Sequence, residues 1–557
     1  MAFESKSLTP DLAVTEQISR ADLADIAQAG FKSVICNRPD GEGPDQPGFA
    51  EIAQAAAAVG LAAVYLPVTA GMVTDDDAAK FGTALAELPK PALAYCRTGT
   101  RSTTLWALAT AGKKPLGEIV AAGQAAGYDL AGIAARIANN KQIEPDAPVA
   151  KHDIVIVGGG AAGAAVAASL LRREPGLDIA VIEPADTHYY QPGWTMVGGG
   201  IFEPEYTAKP MGAVLPRRVT WIKAAVAGFA PETNTVVIEG CRTIRYAHLV
   251  VCPGIKLNWS GIEGLPETLG KNGVTSNYRY DLAPYTWELV RTLDKGRALF
   301  TQPPMPIKCA GAPQKAMYLS ADHWMRAGCL KNIQASFYNA GGVLFGVAEY
   351  VPALMRYVQR YDISLNFNHN LVAIDGPAKK AFFKRTQPDG ASETVEASFD
   401  MIHVCPPQLA PDFVRASPLA DGAGWLDVDP GTLRHKRYPN IFGLGDAAST
   451  PNAKTAAAAR KQAPVVAENI LFDKGVRPAQ CAYDGYGSCP LTVERGKIVL
   501  AEFTYGGKVA PTFPAFVIDG TKPSRAAWIL KERILPPIYW KAMLKGREWM
   551  ARPKVMA

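Results

Sequence analysis

Residues 154–171 read Ile154-Val-Ile-Val-Gly-Gly-Gly-Ala-Ala-Gly-Ala-Ala-Val-Ala-Ala-Ser-Leu-Leu171. Four β-branched residues predict a buried strand, and the alanine-rich run behind them predicts an apolar helix. Between them, Gly158, Gly160 and Gly163 form G-x-G-x-x-G. The first glycine closes a tight turn, the second lets backbone approach a pyrophosphate, and the third lets helix and strand pack closely. Ala161 and Ala162 fall where the helix opens, so their N–H groups would face the anion. A second apolar strand, Ile179-Ala-Val-Ile, ends at Glu183, 25 residues after Gly158. That is near the offset of an acid that binds ribose hydroxyls. Strand, glycine turn, helix, strand and acid together predict a Rossmann-like α/β unit with a parallel sheet.

Two later stretches extend this unit. Tyr438-Pro-Asn-Ile-Phe-Gly-Leu-Gly-Asp446 is a short strand ending in Gly-Asp, and Ala247-His-Leu-Val-Val-Cys-Pro-Gly254 is a strand running into a glycine. Both resemble motifs of two-dinucleotide-fold flavoproteins, in which the Asp meets the ribitol–pyrophosphate region. The cofactor this implies is FAD. A second Rossmann-like domain is expected at about 280–400, yet no second G-x-G-x-x-G occurs there. The electron donor is therefore expected not to be a nicotinamide.

The chain has 557 residues, 48% hydrophobic and 20% charged, with a formal net charge of +6. This is globular composition, which excludes a disordered or collagen-like chain. The charge is uneven. Residues 1–150 hold 12 basic and 17 acidic side chains, whereas 521–557 hold 9 and 2. In that tail, Trp528, Ile534, Trp540 and Leu544 alternate with Lys522, Arg525, Lys531, Arg533, Lys541, Lys545 and Arg547. Apolar residues interleaved with cations suit an anionic membrane surface, against the alternative of a surface helix packed on its own domain. No nucleic-acid-binding fold accompanies the charge, so no nucleic acid is expected. The uncharged stretches 55–74 and 154–171 are read as α/β elements, so no membrane-spanning helix is expected. No signal peptide is expected either, which places the chain in the cytoplasm. Nine cysteines without a C-x-x-C pair or His/Cys spacing predict no disulfide framework and no metal site.

Residues 1–140 read as a separate α/β domain. Strands are expected at 31–36, 62–66 and 92–96, and helices at 49–59 and 78–88. Residues 141–150 are polar and Pro-containing, as in a linker, with the flavoprotein region at 151–480 and a redox and membrane segment at 481–557. Ala92-Leu-Ala-Tyr-Cys96-Arg-Thr-Gly-Thr-Arg101-Ser places a cysteine between a strand and a helix N-terminus. Such a loop favours a thiolate and cradles an oxyanion, which Arg97 and Arg101 could grip. With Val34-Ile-Cys-Asn-Arg-Pro-Asp-Gly-Glu42, this unit resembles phosphatase-like domains, and its C-x4-R loop is closer in length to rhodanese-type sulfurtransferases. Cys96 would attack persulfide sulfur or, with an acid from Asp40 or Asp75–Asp77, a phosphoester. An inert binding module is the third reading. Cys36 reads as a buried strand residue.

The larger region needs a redox handle other than a nicotinamide, and thiols beside a flavin provide one. Ile307-Lys-Cys309-Ala-Gly-Ala-Pro-Gln-Lys315 sets a cysteine between two lysines, which favour its thiolate. Tyr483-Asp-Gly-Tyr-Gly-Ser-Cys489-Pro reads as a turn-rich loop outside the core. These stretches, with Gly158–Gly163, His188-Tyr-Tyr-Gln-Pro192, Trp425–Asp429, Arg437–Asn440 and Lys454–Ala458, resemble the mitochondrial-type sulfide:quinone oxidoreductase family over about 151–550.

The resemblance implies a redox pair at Cys309 and Cys489. It implies flavin contacts at Glu183, Gln191, Asp446 and Lys454, with Lys315 and Val226 as further candidates. Hydrosulfide would open a bridge at Cys489, and the electrons would pass by FAD to a membrane quinone. The sulfur would leave to a small thiol or sulfite-type acceptor, and the enzyme would sit on the cytoplasmic face of the inner membrane. Ala447 stands where such relatives can carry a cysteine after Gly-Asp. The alternatives are an NADH- or thiol-fed quinone-reducing flavoprotein with an N-terminal phosphatase, and a flavin-containing membrane sensor. A homo-oligomer is left open.

Overall fold

The structure is a computed structural model describing residues 4–43, 46–69, 73–114, 116–130, 133–139, 150–238 and 243–556. The expected linker therefore lies outside the described residues, except for Ala150, which opens a strand. The chain divides into two compact units. One holds residues 1–151, 224–245 and 412–418, and the other holds the remainder, including the C-terminal segment.

In the first unit, the expected strands form at Ser33–Cys36, Ala62–Tyr65 and Ala92–Tyr95, and the helices at Phe49–Ala58 and Asp75–Glu87. Four strands run parallel, in the order Leu12–Thr15, Ala92–Tyr95, Ser33–Cys36 and Ala62–Tyr65. A hairpin strand, Lys6–Thr9, adds one antiparallel edge. Its polar Lys-Ser and Thr-Pro-Asp left little apolar signal to read. The helix Thr100–Thr110 follows the Cys96 loop and is held by buried Leu105, Trp106 and Leu108.

The second unit is built on two sheets. In the first, strands run in the order Thr220–Ile222, Ile179–Ile182, Ala150–Val157, Thr243–Val251 and Ile441–Gly443. The helix Ala161–Arg173 buries every residue from Ala162 to Leu171 and packs on the helix Ala456–Asp473. Small side chains on both allow that approach. Gly163 is required at one point, because a Cβ there would stand 1.8 Å from the carbonyl oxygen of Gly158.

The second sheet is parallel, in the order Val274–Thr275, Met401–His403, Gly296–Gln302, Ile333–Asn339 and Ser364–Phe367. The helix Ala312–Ala327 covers it. A dinucleotide-binding domain would carry its glycine turn between the central strand Gly296–Gln302 and this helix. Here that link runs Pro303-Pro-Met-Pro-Ile-Lys-Cys309, so a cysteine stands at the helix entrance in place of the phosphate turn.

Cys489 departs from expectation. It lies in a strand, Gly487–Glu494, paired antiparallel with Lys497–Phe503, and is buried. Gly485, Gly487 and Pro490 suggested a loop, but Leu491, Val493, Val499 and Ala501 anchor the hairpin in the core beneath the second sheet.

The tail also differs. Trp528, Tyr539, Trp540, Met543 and Leu544 are buried in the second unit's own cores, and so is Lys531. The tail is a broken helix with a π-helical stretch at Leu530–Ile534. Its outward apolar residues include Ile529, Ile534, Trp549, Met550, Val555 and Met556, with Phe516 nearby in sequence at 90% exposure. No helix among the described residues is long and apolar enough to cross a membrane.

Candidate active site

In the second unit, a cavity of about 500 Å³ is lined at one end by Gly160, Ala161, Ala162, Glu183 and Gly254. Gly445 and Asp446 line it, and so do Gln191, Lys308, Cys309, Lys315 and Lys454. Gly158 takes a φ of +100°, and a Cβ on Gly160 would meet no protein atom within 4 Å. Backbone is thus open toward the cavity where a pyrophosphate would rest. The Glu183 carboxylate accepts from the N–H groups of Gly159 and Ala185, both at 2.8 Å, which fixes it at the rim. Asp446 is desolvated at the strand end, which raises its carboxyl. These residues fit the two ends of FAD. Val226 is buried in the strand Val226–Ala230 and does not line the cavity.

The expected flavin contacts Lys454 and Gln191 also have protein partners. The Lys454 ammonium donates to the carbonyls of Asp446 (2.7 Å) and Ala448 (2.9 Å) and lies 4.1 Å over the Trp425 ring. Burial lowers it to about 8. It secures the Gly-Asp turn while facing the cavity. Lys308 donates to Gln191 Oε1 at 2.6 Å and is lowered to about 8, again by burial.

The two sulfurs lie 180 residues apart in sequence and 3.4 Å apart in space. A disulfide needs about 2.05 Å, so closing the bridge takes a small movement. Cys309 takes a left-handed φ of +51°. Its N–H donates to the Lys454 carbonyl at 2.8 Å and its own carbonyl accepts from Ala312 at 2.7 Å, which holds that conformation. Gly311 must stay bare, since a Cβ there would approach Cys489 Sγ to 2.5 Å.

Electrostatics distinguish the two thiols. The Cys489 hydrogen bond holds Cys309 well below the ordinary thiol value, against burial and with help from the Lys315 ammonium. Cys489 is pushed well above it by the same hydrogen bond and by burial. Lys315 donates to Cys309 Sγ at 3.0 Å; against burial, the two sulfurs raise its value. Cys309 is therefore the thiolate of the pair and Lys315 its counter-ion.

Lys531 is a functional residue that sequence reasoning did not single out. It is 2% exposed, donates to the Pro192 carbonyl at 2.9 Å, and lines the cavity. Burial lowers it to about 7, with Lys315 adding repulsion. A lysine inside an apolar tail read as a surface cation, and only the π-helical turn brings it inward. Tyr278, whose hydroxyl donates to the Lys308 carbonyl at 3.2 Å, and buried Cys405 also stand near the pair.

Residues 152–312 match the pyridine nucleotide-disulphide oxidoreductase family, and residues 4–113 match the phosphatase-like domain of beta-lactamase hydrolase-like proteins. The mitochondrial sulfide:quinone oxidoreductase of Dictyostelium discoideum is 42% identical over 377 residues, 67% of this chain and 81% of that protein. This chain belongs to the sulfide:quinone oxidoreductase family. The enzyme of the same name from Mus musculus is 38% identical over 396 residues, 71% of this chain and 87% of that protein. The sulfide:quinone oxidoreductase from the hyperthermophilic bacterium Aquifex aeolicus shares the fold, with a TM-score of 0.59 at 21% identity, covering 71% of this chain and 92% of that one. Sulfide:quinone oxidoreductases are FAD-dependent flavoproteins, and the cavity described above fits that cofactor.

The first unit has its own candidate site. Cys96 is buried at the end of its strand, and the loop turns through Gly99, with φ +80°, into the helix Thr100–Thr110. A Cβ on Gly99 would meet the Tyr128 hydroxyl at 2.0 Å. Arg97 is exposed. Arg101 departs from the expected grip. Its Nη2 donates to both oxygens of Glu42, at 2.9 and 3.1 Å, and its Nη1 donates to the carbonyls of Asn37 and Val68. An oxyanion arriving there would have to displace Glu42, which Arg38 also binds at 2.8 Å. The candidate acids are engaged too: Asp40 accepts from Phe49 N, Asp75 pairs with Arg136, and Asp77 caps its helix with Thr74. Cys36 is buried, which raises its thiol.

Proposed function

We propose that this chain oxidises hydrosulfide at the Cys309–Cys489 pair and passes the electron pair by FAD to a quinone. The observation that carries this reading is the pair itself, its sulfurs 3.4 Å apart, with Cys309 in the wall of the flavin-fitting cavity, Cys489 buried behind it, and Lys315 donating to Cys309 Sγ. In the oxidised pair, hydrosulfide attacks Cys489. A new S–S bond forms there, the Cys309–Cys489 bond breaks, and Cys309 leaves as a thiolate held by Lys315. Thiol exchange runs fastest when the leaving thiol has the lower pKa, which favours attack at Cys489. An acceptor nucleophile then removes the outer sulfur. The two thiols bridge again, releasing two electrons. FAD, when bound, supplies the two-electron relay between sulfur and quinone.

The test is spectroscopic. Sulfide should bleach the flavin of the full-length enzyme rapidly in stopped flow, NADH should not, and a quinone should restore the colour. A bleach by NADH alone overturns the reading in favour of a nicotinamide-fed enzyme.

We infer that Cys96 of the first unit receives the sulfur. Its place between a strand end and a helix entrance suits a sulfur-accepting cysteine. The phosphatase-type match favours the second reading, phosphoester cleavage. Cys96→Ser in the full chain should leave the sulfide bleach intact and stop persulfide transfer to an added thiol. Loss of aryl phosphate hydrolysis with transfer unchanged would favour the second reading.

For the membrane, the reading rests on Phe516, Ile529, Ile534 and Trp549, which face outward among Arg533, Lys541 and Arg547. Near an anionic leaflet each cation contributes about 1 kcal/mol. This would place the enzyme peripherally, on the cytoplasmic face of the inner membrane. Substituting Phe516→Ser and Trp549→Ser together should release the enzyme from anionic phospholipid vesicles in flotation. Full flotation of that variant would remove these residues from the contact.

A further inference from the structure

The hairpin that carries Cys489 has two faces. Residues alternate along paired strands, and partners in register share a face. Cys489 is opposite Ala501, and both join the core beneath the second sheet. Ser488 is opposite Glu502, and both line the cavity, as do Pro490 and Leu500. The hairpin thus presents its redox sulfur on one side and a carboxyl on the other. The cavity is also lined by Phe513, Leu530, Leu535 and Ile538, apolar side chains that suit a quinone ring and its prenyl chain.

Glu502 is the carboxyl on that face, 4% exposed. Its Oε1 accepts from the Tyr486 hydroxyl at 2.5 Å and from the Thr512 hydroxyl, and its Oε2 accepts from the Thr512 N–H at 3.0 Å. Tyr486 and Thr512 hydroxyls lie 2.9 Å apart, and both residues line the cavity. Lys461 stands 5.2 Å over the Tyr486 ring, Asp484 accepts from the Tyr486 N–H, and Arg460 bonds to the carbonyl of Trp549, which is 61% exposed. On the far side the Tyr350 hydroxyl binds the Glu502 backbone. The Tyr486 and Thr512 hydroxyls therefore form one polar group with a buried carboxyl, beside apolar side chains of the same cavity. Neither the sulfur chemistry nor the flavin cradle uses it.

We propose that Glu502, oriented by Tyr486 and Thr512, delivers a proton to the quinone. The proposal rests on the quinone-reducing reading above. Reduction of a quinone to a quinol adds two electrons and two protons. FAD, when bound, would supply both electrons and one of the protons. The second proton comes from the Glu502 carboxyl: its O–H bond breaks as the O–H bond of the quinol forms. The carboxylate left behind keeps the donors from Tyr486 and Thr512. Solvent protons return to it through the hydroxyl of half-buried Tyr486. Burial pushes the Tyr486 hydroxyl up, so it stays protonated as a donor.

Stopped-flow half-reactions on the full-length holoenzyme test this. In Glu502→Gln, bleaching by sulfide should stay within about twofold of wild type. Reoxidation by a short-chain ubiquinone should slow by about a hundredfold or more, the low end of what a positioned acid contributes. Glu502→Asp should recover part of the rate. Reoxidation of the wild type should slow in deuterium oxide, and that isotope effect should change in Tyr486→Phe. Reoxidation of Glu502→Gln at the wild-type rate, or equal slowing of both half-reactions, overturns the proposal. Should Glu502→Gln fail to retain flavin, the Tyr486→Phe result decides: an isotope effect identical to wild type overturns it. A wild-type enzyme that sulfide does not bleach would instead overturn the underlying reading.

Discussion

Cys309→Ser enzyme mixed with sulfide should keep its flavin fully oxidised, with the bleaching rate down by at least about a thousandfold; removing the nucleophile of an acyl-transfer enzyme costs up to about a millionfold. A serine hydroxyl cannot bridge to Cys489, and it cannot leave as a stabilised anion beside Lys315. Cys489→Ser should lose the bleach equally, since the attacked sulfur is gone. The two variants differ in what remains. Cys489→Ser keeps the Lys315-paired Cys309 thiolate and should still be alkylated at Cys309 by iodoacetamide. Cys309→Ser leaves Cys489 without its thiolate neighbour, in a buried strand that raises its thiol, and should alkylate far more slowly. Peptide mapping after brief alkylation reads both. Rapid bleaching of Cys309→Ser would remove Cys309 from the electron path. Neither substitution should disturb the fold greatly, because serine is close to cysteine in size and the cavity side of the pair is open.

What could be read in the sequence was what is local. The G-x-G-x-x-G turn, its strands and Glu183 lie within 30 residues, so turn geometry, apolar runs and the acid agree in one window. The α/β order of the first unit was legible for the same reason. Cys309 and Lys315 are six residues apart, and the helix Ala312–Ala327 folds the lysine back onto the sulfur. The pairing of Cys309 with Cys489 depends on strand register across 180 residues and was available only through family resemblance. Glu502 is a plain acid in an apolar strand, Val499-Leu-Ala-Glu502, and only its cross-strand partner shows which face it takes. The tail was half legible. Its alternation of cations and apolar residues reads the same whether Trp528 or Ile529 points outward; the structure buries Trp528 and exposes Ile529. Arg101 was misjudged because Glu42, its partner, is 59 residues away.

Lys315 separates the two cysteines chemically, and removing it should have the second largest effect. At about 4 Å and an effective dielectric near 20, opposite unit charges interact by about 4 kcal/mol. Even if solvent entering the gap recovers part of that, a loss of about 3 kcal/mol raises a thiol by roughly two pKa units. In wild type the Cys309 thiol is held well below the ordinary value, so its thiolate is present through neutral pH and is lost only as pH falls through that low value. In Lys315→Met, Cys309 keeps the Cys489 hydrogen bond but meets burial without a cation. Its thiolate should then be lost at a higher pH, as pH falls through the raised value. Alkylation of Cys309 in the reduced enzyme should be nearly flat from pH 6 to 9 in wild type and should rise with pH in Lys315→Met. The sulfide bleach at pH 7 should slow by about a hundredfold and recover in part at pH 9. Lys315→Arg should retain most of the rate at both pH values, because it keeps the charge. A Lys315→Met enzyme with a wild-type alkylation profile would show that the Cys489 hydrogen bond suffices, and would make Lys315 a flavin contact, as its position in the cavity wall also allows.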